Sequence, residues 1–346
     1  MAENEPASIV QFSARRVVGL VTLSGLVLVV AVITVLYAVG PLVHNRDQRS
    51  LMATEREAIA HAAAQTDSLY GPTLPTVPPV PGDPVGILAV PTLGLQQAVV
   101  EGVSSSQTVG GPGHVPGTAG LGQPGNAAVV GRRAAYGGPF GDLAELRPGD
   151  RIVTATVEGQ VAYVVRSVRT VTLVTVAPAA GTISGVKAPS SGAAHTSSGP
   201  VKTGSGPTKT GTTETTTPRT ATQKTENIRT LYGPSTDNQL TLVTSGSSLP
   251  WNTDQAVVVV ARMQGKPFTP TPQESRSPTQ QGNSGESAAL AWLLLALLAL
   301  IAVLVGAVAL YRRCTTRTAY LLTTAPLLAL TVLAAEAASH LLPAWI

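Results

Sequence analysis

Three apolar runs stand out along the chain. Residues 17–39 carry no charge and are rich in Val, Leu, Ile and Ala, and 23 residues in a helix span a bilayer core. Residues 288–311, dominated by Leu and Ala, form a second uncharged run, and residues 318–336 form a third that closes on Glu336. All three are read as membrane helices. The first is too long for the apolar part of a cleavable signal and is read as a retained anchor. Between the first two runs the texture changes to short Val/Ile-rich stretches separated by Gly and Pro: 85–90, 98–100, 126–131, 151–157, 161–176, 239–244 and 256–263. Strands of this length and spacing predict a compact all-β barrel or sandwich. A helical pattern covers 51–64, and a short helix is predicted over 139–146, with Pro139 at its start and Leu143 and Leu146 on one face.

Two polar stretches interrupt this pattern. Residues 178–225 are dominated by Ser, Thr, Gly, Pro and Ala and lack the apolar surface to fold. Such an insertion between strands is tolerated because loop-closure entropy grows only logarithmically. Residues 70–84 carry six prolines and are read as a stiff spacer. The expected organisation is an N-terminal tail (1–16), the first helix (17–39), a juxtamembrane helix and spacer (40–84), the β domain (85–263), a polar linker (264–287) and two further helices (288–311 and 318–336).

Basic residues orient the helices. Arg15 and Arg16 precede the first, and Arg312, Arg313 and Arg317 lie between the second and third. With both clusters in the cytoplasm, the positive-inside rule is satisfied by one topology. The expectation is a multi-pass plasma-membrane protein with residues 41–287 and 340–346 outside.

Composition narrows the function classes. Only 12% of the residues are charged and 4% aromatic, so neither a basic nucleic-acid face nor a base-stacking platform is expected. The net charge of +4 is matched by Lys187, Lys202, Lys209, Arg219 and Lys224 against Glu214, all inside the Thr-rich insertion. The single cysteine, Cys314, excludes a disulfide framework, a multi-cysteine zinc site and an iron–sulfur cluster. The five histidines form no His-x-x-x-His pair, and the Gly-Gly-Pro-Gly run at 110–113 lacks the lysine of a phosphate loop. No metal and no cofactor are expected.

The β domain resembles a sortase. The resemblance rests on VGILAVP (85–91), VEG (100–102), GPGHVPGT (111–118), PGNAAVVGRR (124–133), YGGPFGDLAEL (136–146), PGDRI (148–152), Tyr163, LTLVT (240–244) and the last strand (257–263). It is most similar to the sortases of high-GC Gram-positive bacteria, and it implies an eight-stranded β-barrel held outside the membrane by an anchor. Sortases are cysteine transpeptidases: a thiolate attacks the Thr–Gly bond of a cell-wall sorting signal, and an amine resolves the acyl-enzyme. The resemblance places the family's His at Arg132, its Cys at Ser245 and its Arg at Ala256, or at Gln255 with the register moved by one. All three are replaced. A serine hydroxyl needs a neighbouring base, and a guanidinium offers only donors. An oxyanion donor is worth roughly 10²–10³ in rate, so losing it together with nucleophile and acid removes the ordinary route to acyl transfer.

The expected protein is therefore a catalytically inactive sortase-like scaffold. Its remnant cleft of Arg132, Arg133, His114, Thr244 and Ser245 would hold sorting-signal-like peptides, surface proteins or another membrane protein. Two alternatives stand beside it. One is an enzyme using Ser245 as nucleophile with His114 as base; the other is a structural membrane protein with a passive ectodomain. Leu74-Pro-Thr76 resembles the start of a sorting signal but lacks the Thr-Gly end.

Overall fold

Alternating burial along Arg151–Thr156 and much of Gly159–Leu173, beside strands buried on both faces, marks a sheet closed around one core. The computed structural model describes residues 30, 33–66, 76–173, 224–248, 254–273, 282, 285, 289–313 and 316–346. About two thirds of the first predicted membrane helix, including residues 17–29, therefore lies outside the described residues, as do Cys314, Leu74-Pro75 and nearly all of the Thr-rich insertion.

After a π-helical turn at Val35–Val39, helix α1 (Gly40–Thr66) leads to the strands. These are β1 (Pro84–Val90), β2 (Leu95–Glu101), β3 (Gly113–His114), β4 (Asn126–Val130), β5 (Arg151–Thr156), β6 (Gly159–Leu173), β7 (Lys224–Glu226), β8 (Gln239–Ser245) and β9 (Gln255–Gln264). Their order is β5-β1-β2-β3-β4-β8-β9-β6, and pairing of β5 with β6 closes the sheet on itself. Eight strands thus form a closed barrel with no free edge. The three-residue β7 adds in parallel to the far end of β6.

Strands β4, β8 and β9 are buried on both faces; β4 and β9 read as nearly continuous apolar runs for that reason, whereas β8 carries the buried Thr241, Thr244 and Ser245 among its apolar residues. Ala127, Val129, Leu240, Leu242, Val257 and Val259 face the barrel interior, where Leu88, Phe140 and Tyr163 also pack. Ala128, Val130, Val243, Ala256 and Val258 join a second cluster with Ile228, Leu231, Tyr232, Trp345 and Ile346. The outer face of this part of the sheet is therefore covered by segments distant in sequence.

The 139–146 region corrects its expectation. Only Leu143–Glu145 makes a 3-10 turn. Gly138, in the left-handed region at φ 50°, turns the chain just before, and the Phe140 amide is drawn to the Arg132 carbonyl at 2.9 Å. Burying Phe140 against Gly131, where a Cβ would collide with its ring, takes the place of a helical turn. Leu143 and Leu146 are still buried.

Helix α1 extends the predicted 51–64 pattern in both directions and is fixed to the barrel. The Gln48 amide donates to the Ala98 and Gly110 carbonyls and accepts from the Ala98 amide at 2.8 Å. Met52 packs with Ile87 and Ala98. Two further helices, α2 (Ala289–Arg313) and α3 (Thr316–Leu341), pack against each other. Within α2, residues Ala289–Gly306 are long and apolar enough to cross a membrane, with a mean hydropathy of 2.8. Among the described residues this is the one helix that qualifies; the apolar part of α3, Thr323–Ala338, is shorter.

Candidate functional site

Parallel pairing of β4 with β8 and antiparallel pairing of β8 with β9 bring three chain segments to one end of the barrel. Val130 lies opposite Val243, and the Gly131 amide continues the ladder to the Val243 carbonyl at 3.1 Å. Ser245 lies opposite Ala256. Arg132, Ser245 and Ala256 are thereby gathered at adjacent strand ends, all three fully buried.

Each has an occupation of its own. Ser245 Oγ donates to the Ser247 carbonyl at 2.7 Å and accepts from the Ser247 amide at 3.2 Å. Arg133 Nη1 donates to the Ser245 carbonyl at 3.0 Å. Arg132 turns away from the strand end: its Nη2 donates to the Ser105 carbonyl at 2.7 Å and its Nε to the Thr108 carbonyl at 3.2 Å. Its guanidinium carbon lies 5.0 Å from the centre of the Tyr136 ring. Tyr136 adopts φ 54°, a left-handed conformation that side-chain-bearing residues seldom take, and holds its ring under the cation. Among the described residues no carboxylate lies within ion-pair range of Arg132, and its Nη1 has no partner. Burial lowers its pKa to about 10, which leaves it charged at neutral pH.

The remaining space at this strand end is filled by residues 342–346, which come after α3. The Trp345 carbonyl accepts from the Arg133 amide at 3.0 Å and the Ser245 amide at 3.4 Å, with Thr244 Oγ1 at 3.5 Å. Ser105 Oγ donates to the Leu342 carbonyl. Trp345 and Ile346 are fully buried.

His114 is elsewhere. It sits on β3 with Nδ1 at 2.8 Å from Glu101 Oε2, a buried ion pair, and its Nε2 donates to the Ala119 carbonyl at 2.8 Å. Burial opposes the imidazolium, but Glu101 and the Ala119 carbonyl outweigh it, and the pKa lies above the ordinary 6.5. The pair lines a cavity of about 240 Å³ with Glu55, Gln123 and Glu158. Burial raises the Glu55 pKa to about 7, and that of Glu158 is raised for the same reason. Thus Arg132, Arg133, Thr244 and Ser245 are brought together, whereas His114 has both nitrogens engaged with other groups. No cluster of His, Cys, Asp and Glu suited to a metal is found among the described residues.

A family model described as the sortase domain matches residues 88–264, just over half of the chain. The chain belongs to the sortase family. Solved structures similar to this sortase include a Clostridium perfringens sortase D5 transpeptidase, at 13% identity over 62% of this chain and 99% of that one, with a TM-score of 0.37. Sortase E from Streptomyces avermitilis is 22% identical over 55% of this chain and 93% of its own, with a TM-score of 0.34. Sortase E1 from Streptomyces coelicolor, solved with a tripeptide in its active site, is 20% identical over the same shares, with a TM-score of 0.33. No curated protein matches the chain.

Ser105, Thr108, Tyr136 and Trp345 are parts of this site that the sequence pattern did not reveal. One signal for the last was present. The run Leu-Leu-Pro-Ala-Trp-Ile is too apolar to stand free in water, and its proline stops the preceding helix.

Proposed function

We propose that this sortase is catalytically inactive and works by holding a peptide or partner protein, outside the membrane that its helices anchor it to. The observation that carries this reading is the set of residues at the ends of β4, β8 and β9. Arg132, Ser245 and Ala256 stand where the family has His, Cys and Arg. Ser245 Oγ is hydrogen-bonded to backbone groups of Ser247, and a carbonyl is no base for its proton. His114, the candidate base, is committed to Glu101 and Ala119.

A three-span topology fits the same reading. Helices α2 and α3 form a pair whose flanks, the barrel on one side and residues 342–346 on the other, meet at one site. Both flanks then lie in one compartment, with Arg312, Arg313 and Arg317 on the opposite side. The exposed Trp292, Leu294, Leu298 and Val305 of α2 supply a surface for lipid.

The test incubates the full chain, in detergent micelles, with sorting-signal peptides and an amine acceptor, and reads the products by mass spectrometry. No cleavage and no transfer product are expected. Turnover that disappears in Ser245→Ala would establish a serine enzyme instead.

A further inference from the structure

We infer that the barrel end formed by β4, β8 and β9 is a peptide-binding pocket occupied in cis by residues 342–346, and that two of the residues replaced there, Arg132 and Ala256, hold this strap or make room for it. The inference rests on the proposed function and deepens it, since it names the occupant of the same site.

The pocket has the parts a peptide site needs. Two backbone amides, from Arg133 and Ser245, and the Thr244 hydroxyl converge on a single carbonyl, that of Trp345. Convergent donors of this kind fix the register of a bound chain, and side-chain pockets then select the residues on either side. The side-chain pocket here is apolar: Trp345 and Ile346 are buried in one cluster with Val130, Val243, Ala256 and Val258. The ligand class is a short apolar peptide with an aromatic residue preceding a branched aliphatic one.

Two of the three replaced positions serve this arrangement through their side chains, and Ser245 does so through its main chain alone. Arg132 anchors the Ser105 carbonyl, and Ser105 Oγ in turn holds the Leu342 carbonyl. Ser245 contributes its amide to Trp345. Ala256 is fully buried in the cluster that receives the indole, and a longer charged side chain there would take up that space. The strap is not, however, finished as a permanent core element is. Trp345 Nε1 is buried with no hydrogen-bond partner among the described residues, as is Arg132 Nη1. Permanent interiors rarely leave such donors unsatisfied. A peptide from a partner that supplies an acceptor there would compete on favourable terms, so the strap is a displaceable ligand.

The experiment uses the full chain in detergent micelles with a fluorescein-labelled hexapeptide, Leu-Leu-Pro-Ala-Trp-Ile, and its scrambled counterpart. Polarisation should show the hexapeptide binding at least 10-fold more tightly to a variant lacking residues 342–346 than to the wild type, with Ser105→Ala in between. In parallel, a reporter carrying Trp251→Phe and Trp292→Phe leaves Trp345 as the sole indole. Its emission should be blue-shifted and quenched by acrylamide several-fold more slowly than in the unfolded chain, and excess hexapeptide should speed the quenching. Quenching as fast as in the unfolded chain would mean that the strap is not docked. Equal binding by wild type and deletion would place the hexapeptide elsewhere. A deletion variant that is unfolded, or folded but blind to the hexapeptide, would make the segment a fixed piece of core. Each of these outcomes overturns the inference. None of them concerns turnover, so the absence of catalysis stands or falls separately by mass spectrometry.

Discussion

Two buried polar regions of this barrel are built on opposite plans. Beside β3, Glu101 and His114 satisfy each other: opposite charges at 2.8 Å, with the second imidazole nitrogen on a backbone carbonyl. At the ends of β4, β8 and β9 a full positive charge is buried on carbonyls and an aromatic face, one of its donors unpaired, with a peptide strap filling the space beside it. The buried His–Glu pair thus lies on β2 and β3, and its groups are not among the partners of Arg132 or Ser245. A buried His–Glu pair reads as catalytic from its residue types, yet its geometry is that of a closed structural bridge. The replaced residues read as losses, yet they have acquired hydrogen bonds and packing of their own.

The largest effect expected from breaking this contrast is on activity. On the proposed reading of the site, Arg132→His, Ser245→Cys and Ala256→Arg together restore the family's residues. In the full chain they should yield detectable turnover of sorting-signal peptides, because Arg132→His removes the strap's anchor and Ala256→Arg takes up space that Trp345 occupies. Removing residues 342–346 from that variant should raise turnover further, in proportion to the share of chains whose site the strap still fills. Product analysis by mass spectrometry checks both.

Next in size is the His–Glu bridge. Removing one partner of a buried pair leaves the other uncompensated, at a cost of about 3–5 kcal/mol. Glu101→Gln should approach that loss below pH 6.5, where the imidazolium is present in both folded and unfolded chains. The loss should shrink as pH rises through the elevated folded pKa of His114 and the ring becomes neutral. Denaturant midpoints across pH give the comparison.

The strap should matter less than true core. Phe140→Ala, inside the barrel, should cost about 3–5 kcal/mol. Trp345→Ala should cost no more than about 2.7 kcal/mol, the contribution of a ligand held at roughly 100 times its dissociation constant. Equal losses would mark Trp345 as permanent core.

The smallest effect concerns Glu55. Its carboxyl is raised by burial from 4.5 to about 7. A raised folded pKa contributes stability below the unfolded value that is lost as pH rises through the folded one. The stability difference between wild type and Glu55→Gln should therefore move against the wild type between pH 4.5 and 7 and level off above. A difference that stays flat over this range would show that the carboxyl is solvated.

Much of the barrel was legible because β4 and β9 bury both faces, which leaves apolar runs such as 127–130 and 256–261 without interruption. The convergence of Arg132 and Ser245 could be read from motif order. The partner of His114 could not be read, because Glu101 lies in another strand and no local pattern links the two. The strap was invisible for a related reason: its contacts with Ser105 and Arg133 join residues more than 200 positions apart. The helix over 139–146 failed where Gly138 and the burial of Phe140 overrode a plausible amphipathic pattern.

The central claim is that the sortase site of this chain performs no acyl transfer. The most direct measurement is mass spectrometry of sorting-signal peptides and an amine acceptor incubated with the full wild-type chain. The variant with all three restored residues and no strap serves as the positive control. Product is expected from the control and none from the wild type. Product from the wild type that vanishes in Ser245→Ala would contradict the claim.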